Sequence, residues 1–427
     1  METTNHYLLT TINGIPFLLP YGQAVATFSR GLRLNETASL VVESLDHEDP
    51  FAWYAGKTGL EPSETKDAQK DYEDFIKLLE AQGCLRRKNP DLPDVNEPLY
   101  GTLAIGPLSV RLNGKRHFFS NDFTPFLNGA DSEHTEASES SAAIFAEGQA
   151  DTYTGRASFQ ETRKDTNTAA AAFSEDQTIT VTQAFLPDIT GSTLLIRTDT
   201  LEVFAHEASF FLRFPSMRNV RLAALSLDGS QACYYVTDPG DEKNREALRE
   251  DLFHAIRHSF LYMAQQKGFF ALHSATILYR GLVFAFSGPS GTGKSTHAAL
   301  WQQEFRVPLM NGDLSLLSLT KEGEVLFHGM PWCGTSGITT KKTLPLGGVV
   351  FLKQAPENRL EPMTPERKIL RLHNRLISPV WTPKLLKANL DFSSKAAARI
   401  GTWRYHCTKE VEAAHIMKAA VDQYLND

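Results

Sequence analysis

Long apolar runs, closely spaced cysteines and an excess of basic residues are all missing from this sequence. No segment reaches the roughly 20 consecutive apolar residues of a membrane-spanning helix, and the N-terminus METTNHYLL lacks the regions of a secretory signal. The formal net charge of -7 disfavours a nucleic-acid partner, because phosphate backbones are bound by basic surfaces. We therefore expect a cytoplasmic protein that binds neither membranes nor nucleic acids.

Cysteine is scarce, with four residues in a chain of 427, at Cys84, Cys233, Cys333 and Cys407. Without a C-x-x-C pair, this spacing argues against a zinc site or a disulfide framework and favours buried or unused thiols. Hydrophobic residues make up 42% and charged residues 22% of the chain, which is typical of a globular protein. The length predicts about two or three domains.

One stretch of the sequence carries a recognisable chemistry, namely LVFAFSGPSGTGKSTHAAL from Leu282 to Leu300. An apolar strand leads into a full match to G-x-x-x-x-G-K-[ST], and a helix is expected from near Thr296. Because the glycines let backbone N–H groups converge on phosphate oxygens, a phosphate-binding loop is favoured over a glycine-rich turn without a ligand. The predicted nucleotide-binding residues are Gly288, Ser290, Gly291, Thr292, Gly293, Lys294, Ser295 and Thr296.

The chemistry expected around this loop requires ATP and Mg²⁺. Lys294 would contact the β- and γ-phosphates, and the Ser295 hydroxyl would bind Mg²⁺. Asp313 follows the apolar segment RVPLMNG, which predicts a short strand that ends in an acid. Such an acid can hold Mg²⁺ or accept the proton of an attacking hydroxyl, and the alternative is a turn aspartate after Asn311-Gly312.

The order of elements predicts a multidomain fold of α+β and α/β class. Residues 1–90 read as a winged-helix module, residues 97–240 as a β-rich middle domain, and residues 241–427 as the phosphate-loop domain. The main predicted features are a turn at Asn13-Gly14, a helix capped by Asn35, a helix from Asp71 to Gln82 stopped by Gly83, a strand at Cys84-Leu85, a polar linker at 89–99, an acidic loop at 129–141, a helix from Asp241 to Gly268, a helix after Thr364-Pro365 and a last helix from Glu410 to Tyr424.

The phrase LNETASLVVESL, followed by DFIKLLEAQGCL, resembles the PqqD-like family over roughly residues 5 to 88. This resemblance implies a recognition module that binds the leader of a ribosomally made peptide by adding it as a strand. A docking or purely structural module is the alternative.

The run ALHSATILYRGLVFAFSGPSGTGKSTHAALW, then LMNGD, resembles the kinase domain of the HPr kinase family over about residues 245 to 427. It is similar too to HPr-kinase-like proteins of bacterial peptide-modification loci, and the implied fold is related to phosphoenolpyruvate carboxykinase. The family's active-site histidine matches His273, and its paired aspartates match Gly312 and Asp313, so that the first aspartate is absent. The resemblance implies that Asp313 or His273 assists proton transfer and that oligomers can form.

The predicted function is thus transfer of the γ-phosphoryl of ATP to a hydroxyl, with Lys294, Asp313 and His273 as catalytic residues and Ser295 and Asp313 as Mg²⁺ ligands. The expected acceptor is Ser or Thr of a peptide or small protein. Two alternatives stay open, a nucleotide-binding scaffold without transfer and a kinase of a sugar or metabolite.

Overall fold

The computed structural model describes residues 7–20, 32–45, 47, 49–61, 65–81, 96–128, 175–184, 186–206, 208–237 and 240–427. Their strands form three sheets, and this mixed α/β architecture agrees with the predicted fold class at that level. No helix within these ranges is long and apolar enough to cross a membrane. The predictions for Gly83, for the strand at Cys84-Leu85 and for the acidic stretch 129–141 lie outside the described residues, as does most of the predicted linker.

The first sheet is antiparallel, and three helices follow it. The elements are β1 (Tyr7–Ile12), β2 (Ile15–Pro20), β3 (Leu32–Arg33), α1 (Glu36–Ser44), α2 (Pro50–Thr58) and α3 (Thr65–Ala81). Asn13 and Gly14 have φ of 51° and 79°, as the predicted two-residue hairpin turn requires. The Asn35 side chain accepts a hydrogen bond from the Ala38 N–H at 2.7 Å, which confirms the predicted cap of α1.

The second sheet contains the described strands of the middle region, in the order β4-β5-β6-β11-β10-β9-β8-β7. Their bounds are β4 (Leu99–Ile105), β5 (Leu108–Asn113), β6 (Gln177–Thr182), β7 (Thr193–Arg197), β8 (Glu202–Ala205), β9 (Ser209–Arg213), β10 (Val220–Ser226) and β11 (Gln231–Val236). Two 3₁₀ turns, Arg116–Phe118 and Asn121–Phe126, follow β5. The region is therefore rich in strands, as predicted.

The third sheet has the order β13-β12-β14-β15-β16-β18-β17, and β13 also pairs with β16. Strands β12 to β16 thereby close into a ring. The elements are α4 (Glu242–Gln266), β12 (Phe270–Tyr279), β13 (Leu282–Ser287), α5 (Lys294–Phe305), β14 (Leu314–Leu319), β15 (Val325–His328), β16 (Thr343–Gln354), β17 (Arg359–Glu361), α6 (Pro365–His373), α7 (Pro383–Ala397), β18 (Gly401–Cys407) and α8 (Val411–Asn426).

Helix α4 joins the second and third sheets into one hydrophobic core. Its buried side chains, such as Leu252 and Phe260, belong to a cluster that also contains Ile179 from β6 and Leu316 from β14. The Asp241 side chain caps the helix by accepting from the Asn244 N–H at 2.9 Å, which confirms the predicted start. The predicted domain boundary at residue 240 thus falls just before an element that packs on both sides, and that boundary stays a prediction.

The prediction of a strand that ends in Asp313 is wrong. The segment before this residue follows β12 irregularly, through bonds such as Met310 N–H to Thr276 O at 2.8 Å and Thr276 N–H to Asn311 O at 2.9 Å. Regular pairing begins only after Asp313, where Leu314 starts β14. Pro308 has no N–H to donate, which makes a regular ladder here unfavourable. Asp313 therefore lies at the beginning of a strand.

Two helix starts also differ from the predictions. Helix α3 begins at Thr65 rather than at Asp71, and α5 begins at Lys294 rather than near Thr296. Helix α2 is not among the predicted elements. The starts of α3 and α5 differ because helix ends depend on local hydrogen bonds that apolar periodicity does not report.

Candidate active site

Strand β12 changes its pairing partner from β14 to β13 between His273 and Ser274. Its first half pairs with β14, so that His273 lies opposite Leu314. Its second half pairs with β13, so that Ser274 lies opposite Ser287, the last residue before the glycine loop. Because the two partner strands diverge at this point, the start of the glycine loop and Asp313 lie on either side of His273.

The glycine loop runs from Gly288 to Gly293 and needs glycine for two different reasons. Gly291 and Gly293 have φ of 76° and 88°, in the left-handed region that side chains disfavour. Gly288 has no room for a side chain, since a Cβ atom would lie 2.5 Å from the Thr292 hydroxyl oxygen. Gln354, the last residue of β16, donates to the Gly291 carbonyl at 2.9 Å. The loop is thus held by its own backbone and by the neighbouring strand.

The first N–H groups of α5 point into this loop without partners inside the helix, as at any helix N-terminus. Ser295 and Thr296 are exposed there, as is Ser290 in the loop. The helix dipole adds positive potential at the same end. Donors and positive potential of this kind suit an anion such as a phosphate.

Lys294 is buried and lies against the same loop. Its Nζ atom is 3.4 Å from the carbonyl oxygens of Gly288 and Pro289. Burial lowers the pKa of the ammonium group below its usual range, and the nearby Asp313 carboxylate opposes this shift. The lysine charge is therefore placed between the loop and Asp313.

His273 and Asp313 form a hydrogen-bonded pair, with Nε2 of the imidazole 3.0 Å from Oδ1 of the carboxylate. This bond holds the pKa of Asp313 below its usual range despite partial burial, and the charges of Arg257 and Lys294 act in the same direction. The backbone supports the pairing, since the Ser274 N–H donates to the Asp313 carbonyl at 2.8 Å. The carboxylate is ionised at neutral pH and able to accept a further hydrogen bond.

A short loop, Cys333 to Gly337, covers the backbone next to Asp313. A Cβ atom on Gly312 would lie 1.7 Å from Ser336 Oγ and 2.8 Å from Cys333 O. A Cβ atom on Gly334 would lie 3.0 Å from Asp313 Cβ. A second aspartate at position 312 therefore has no space unless this loop moves.

Within the described ranges, no group of three or more His, Cys, Asp or Glu side chains is arranged to hold a metal ion. The predicted Mg²⁺ ligands are of another kind, one exposed hydroxyl at Ser295 and one ionised carboxylate at Asp313. Hard oxygen ligands of this type suit Mg²⁺, which keeps several waters and is usually completed by phosphate oxygens. The two residues fit a nucleotide-bound ion better than a resident one.

No protein-family model matches the chain, and no curated protein matches it by sequence. Among solved structures, the chain is similar to the Hpr(Ser) kinase/phosphatase from Coxiella burnetii. The match covers 36% of this chain and 97% of that chain, with 10% sequence identity and a TM-score of 0.21. A likeness of this size assigns neither a family nor a function to this chain.

The predicted site residues converge in two groups. Residues 288–296 are continuous through the glycine loop and the start of α5, and Lys294 lies against that loop. His273 bonds to Asp313, whose charge acts on Lys294. Sequence reasoning missed Asn311, Arg257 and Gln354. Asn311 and Gln354 act through contacts to backbone atoms elsewhere in the chain, and no motif surrounds Arg257, so that no local pattern identifies these three residues.

Proposed function

We propose that this protein is an ATP- and Mg²⁺-dependent kinase that transfers the γ-phosphoryl group to a hydroxyl of a peptide or small protein. One observation carries the proposal. The glycine loop and the His273–Asp313 pair lie close together where β12 changes its pairing partner from β14 to β13. A loop that binds phosphates beside an ionised carboxylate supplies both partners of phosphoryl transfer, charge stabilisation and orientation of the hydroxyl.

The transfer follows directly from these roles. The acceptor hydroxyl oxygen bonds to the γ-phosphorus, the bond from that phosphorus to the β–γ bridging oxygen breaks, and ADP leaves with the electron pair. The hydroxyl proton passes to the Asp313 carboxylate, whose hydrogen bond to His273 keeps it oriented. Loop N–H groups and Lys294 stabilise the negative charge on the transferred group.

Mg²⁺ would be held by the Ser295 hydroxyl, with Asp313 as a ligand directly or through water. When bound, the ion neutralises charge on the β- and γ-phosphates. Because Asp313 already accepts from His273 through one oxygen, its second oxygen is the one free for water or for the acceptor hydroxyl.

The N-terminal residues would serve as the substrate-recognition module, with a winged-helix arrangement of β1 to β3 and α1 to α3. An extended peptide such as a precursor leader would add to this module as a further strand, the usual mode by which a sheet edge recognises a peptide. Binding of a candidate leader peptide, measured by calorimetry, tests this role separately from catalysis.

Incubation with γ-labelled ATP and candidate Ser- or Thr-containing peptides tests the kinase proposal. Wild type should label peptide, and Lys294→Ala should lose about 100-fold or more of the rate, as expected when a group that stabilises transition-state charge is removed. Equal labelling by wild type and Lys294→Ala, or no labelling by either, would contradict the proposal.

A nucleotide-binding scaffold without transfer is the alternative that the absent aspartate at Gly312 keeps open. It requires ATP binding with no labelled product from any hydroxyl acceptor. If the scaffold alternative holds, Asp313→Asn should bind partners as wild type does in every assay.

A further inference from the structure

A large cavity adjoins the candidate active site on the side of Asp313 away from the glycine loop. Its volume is about 1360 Å³. Its walls come from three places, the residues from Pro98 to Leu127, helix α4 and the loop from Pro331 to Gly337. Asp313 is also part of its wall, whereas no residue of the glycine loop is. Asp313 is thus shared between this cavity and the phosphate site.

The wall of the cavity is built into the fold. Trp332 donates its indole N–H to the Phe253 carbonyl on α4 at 2.8 Å and packs against the Phe253 ring, with centroids 5.7 Å apart. Both side chains belong to the core that joins the second and third sheets. Trp332 and Phe253 thus anchor part of the cavity wall to the core.

Arg257 gives the cavity a cation, and the carboxylates of Asp122, Glu246, Glu250 and Asp313 line the same cavity. The guanidinium lies in the wall, and burial lowers its pKa from the usual value, with Asp313 as the nearby charge that opposes this shift. In the part of the chain that the structure describes, no hydrogen bond or ion pair to this side chain is present, whereas Arg249 on the same helix pairs with Glu242 at 2.9 Å. A half-buried guanidinium that no side chain contacts directly can bind an anionic group of a ligand.

Size and charge together select the ligand class. A volume above the roughly 300–1,000 Å³ of small-molecule sites suits a peptide segment better than a free sugar or a single amino acid. We propose that this cavity binds the acceptor as a peptide segment, which directs its Ser or Thr hydroxyl to Asp313 and a carboxylate of the peptide to Arg257. This inference rests on the proposed kinase function and adds the acceptor site to it.

Two synthetic peptide pools test the proposal. Both contain one central Ser with degenerate neighbours, which are Asp and Glu in the acidic pool and Asn and Gln in the neutral pool. Binding is measured by fluorescence anisotropy in the presence of ADP, and transfer is measured with γ-labelled ATP. The acidic pool should bind wild type about tenfold or more tightly than the neutral pool, as a charge-assisted contact predicts.

Arg257→Leu should abolish this preference without changing nucleotide affinity, and Arg257→Lys should keep part of it. Arg245→Leu is the matched control, because Arg245 lies on the same helix outside the cavity wall and should behave as wild type. Thermal melts of all three variants verify that they fold.

The possible outcomes separate the two proposals. The cavity proposal would be overturned if wild type bound both pools equally or bound neither. It would also be overturned if Arg257→Leu lost nucleotide affinity to the same extent as peptide affinity. Selective binding of the acidic pool with no label transferred would overturn the kinase function and leave the cavity as a peptide site.

Discussion

Asp313 depends on residues that are distant in the chain. Its carboxylate is oriented by His273, and its low pKa reflects first that hydrogen bond and then the charges of His273, Arg257 and Lys294. Because the pKa in the folded state lies below the ordinary value of 3.8, the carboxylate stays ionised well into the acid range. The stability that its contacts contribute is complete above that ordinary value and is lost as pH falls through the lowered pKa.

Asp313→Asn should reduce phosphoryl transfer by about 10²- to 10⁴-fold, because an amide cannot accept the hydroxyl proton. Nucleotide affinity should stay within a few-fold of wild type. Single-turnover labelling and calorimetry measure the two effects. The wild-type rate should show no decline from Asp313 titration between neutral pH and the ordinary carboxyl value of 3.8. A decline at higher pH that disappears in Asp313→Asn would contradict the lowered pKa.

Gly312→Ala should destabilise the protein by about 1 to 3 kcal/mol, because the added Cβ would overlap with Ser336 in the loop that covers Asp313. Thermal melts measure this. Gly56→Ala is the control, since Gly56 lies inside α2 with nothing within 4 Å of an added Cβ, and alanine there should stabilise the helix. An unchanged melt for Gly312→Ala would show that the covering loop moves freely.

Local signals predicted elements well where they act within one turn. The caps at Asn35, Asp241 and Thr364 and the hairpin at Asn13-Gly14 all follow from side chains that bond or bend the backbone nearby. Helix α2 has the same kinds of signal, an Asp49 cap and a terminal Gly59, which adopts a left-handed φ of 67°. A cap and a glycine without a clear apolar period do not by themselves predict a helix.

Elements defined by distant pairing were not predictable in this way. The apolar run of β14 has no period that separates a strand from a buried helix, and its identity comes from pairing with β12 and β15. The change of pairing partner along β12 at His273 likewise depends on which strands lie beside it. The glycine loop and Asp313 could therefore be predicted from the sequence, whereas their position relative to each other depends on the pairing of the strands in the folded sheet.

The irregular segment before β14 is held by Asn311, which is buried. Its side-chain amide donates to Leu314 O at 2.8 Å and to Met330 O at 3.0 Å. These bonds fix the bend from which Asp313 projects. Asn311 is thus a positioning residue for the carboxylate.

Asn311→Ala should lower kcat at least about tenfold while nucleotide affinity is kept, since the bend loses the bonds that orient Asp313. Asn389→Ala is the matched control, because both asparagines are 1% exposed and Asn389 also bonds the backbone, at Ser378 O. Both variants should lose about 1 to 3 kcal/mol of stability. Equal kcat values for the two variants, measured at a temperature where both are folded, would refute the positioning role.

At the scale of the whole molecule, α4 connects the middle sheet to the ring that carries the site. Tyr234 on β11 donates to the Ala255 carbonyl on this helix at 3.0 Å, and Gln177 on β6 donates to the Ser259 carbonyl at 3.1 Å. On the other side, Gln265 of the same helix donates to Leu385 O at 3.0 Å. The middle sheet therefore contributes to the core beneath the site.

A truncated chain of residues 241–427 should fail to fold cooperatively, whereas residues 96–427 should melt cooperatively and bind nucleotide. Removing the middle sheet would expose the apolar side chains of α4 that face it, and burial of each such side chain is worth about 1.5 to 3 kcal/mol. Near-UV circular dichroism, dye binding to exposed apolar surface and gel filtration of both chains beside the full-length protein measure the outcome. A monodisperse 241–427 chain with a sharp melt and full nucleotide affinity would show instead that residue 240 bounds an independent domain, and that the middle sheet serves the acceptor cavity alone.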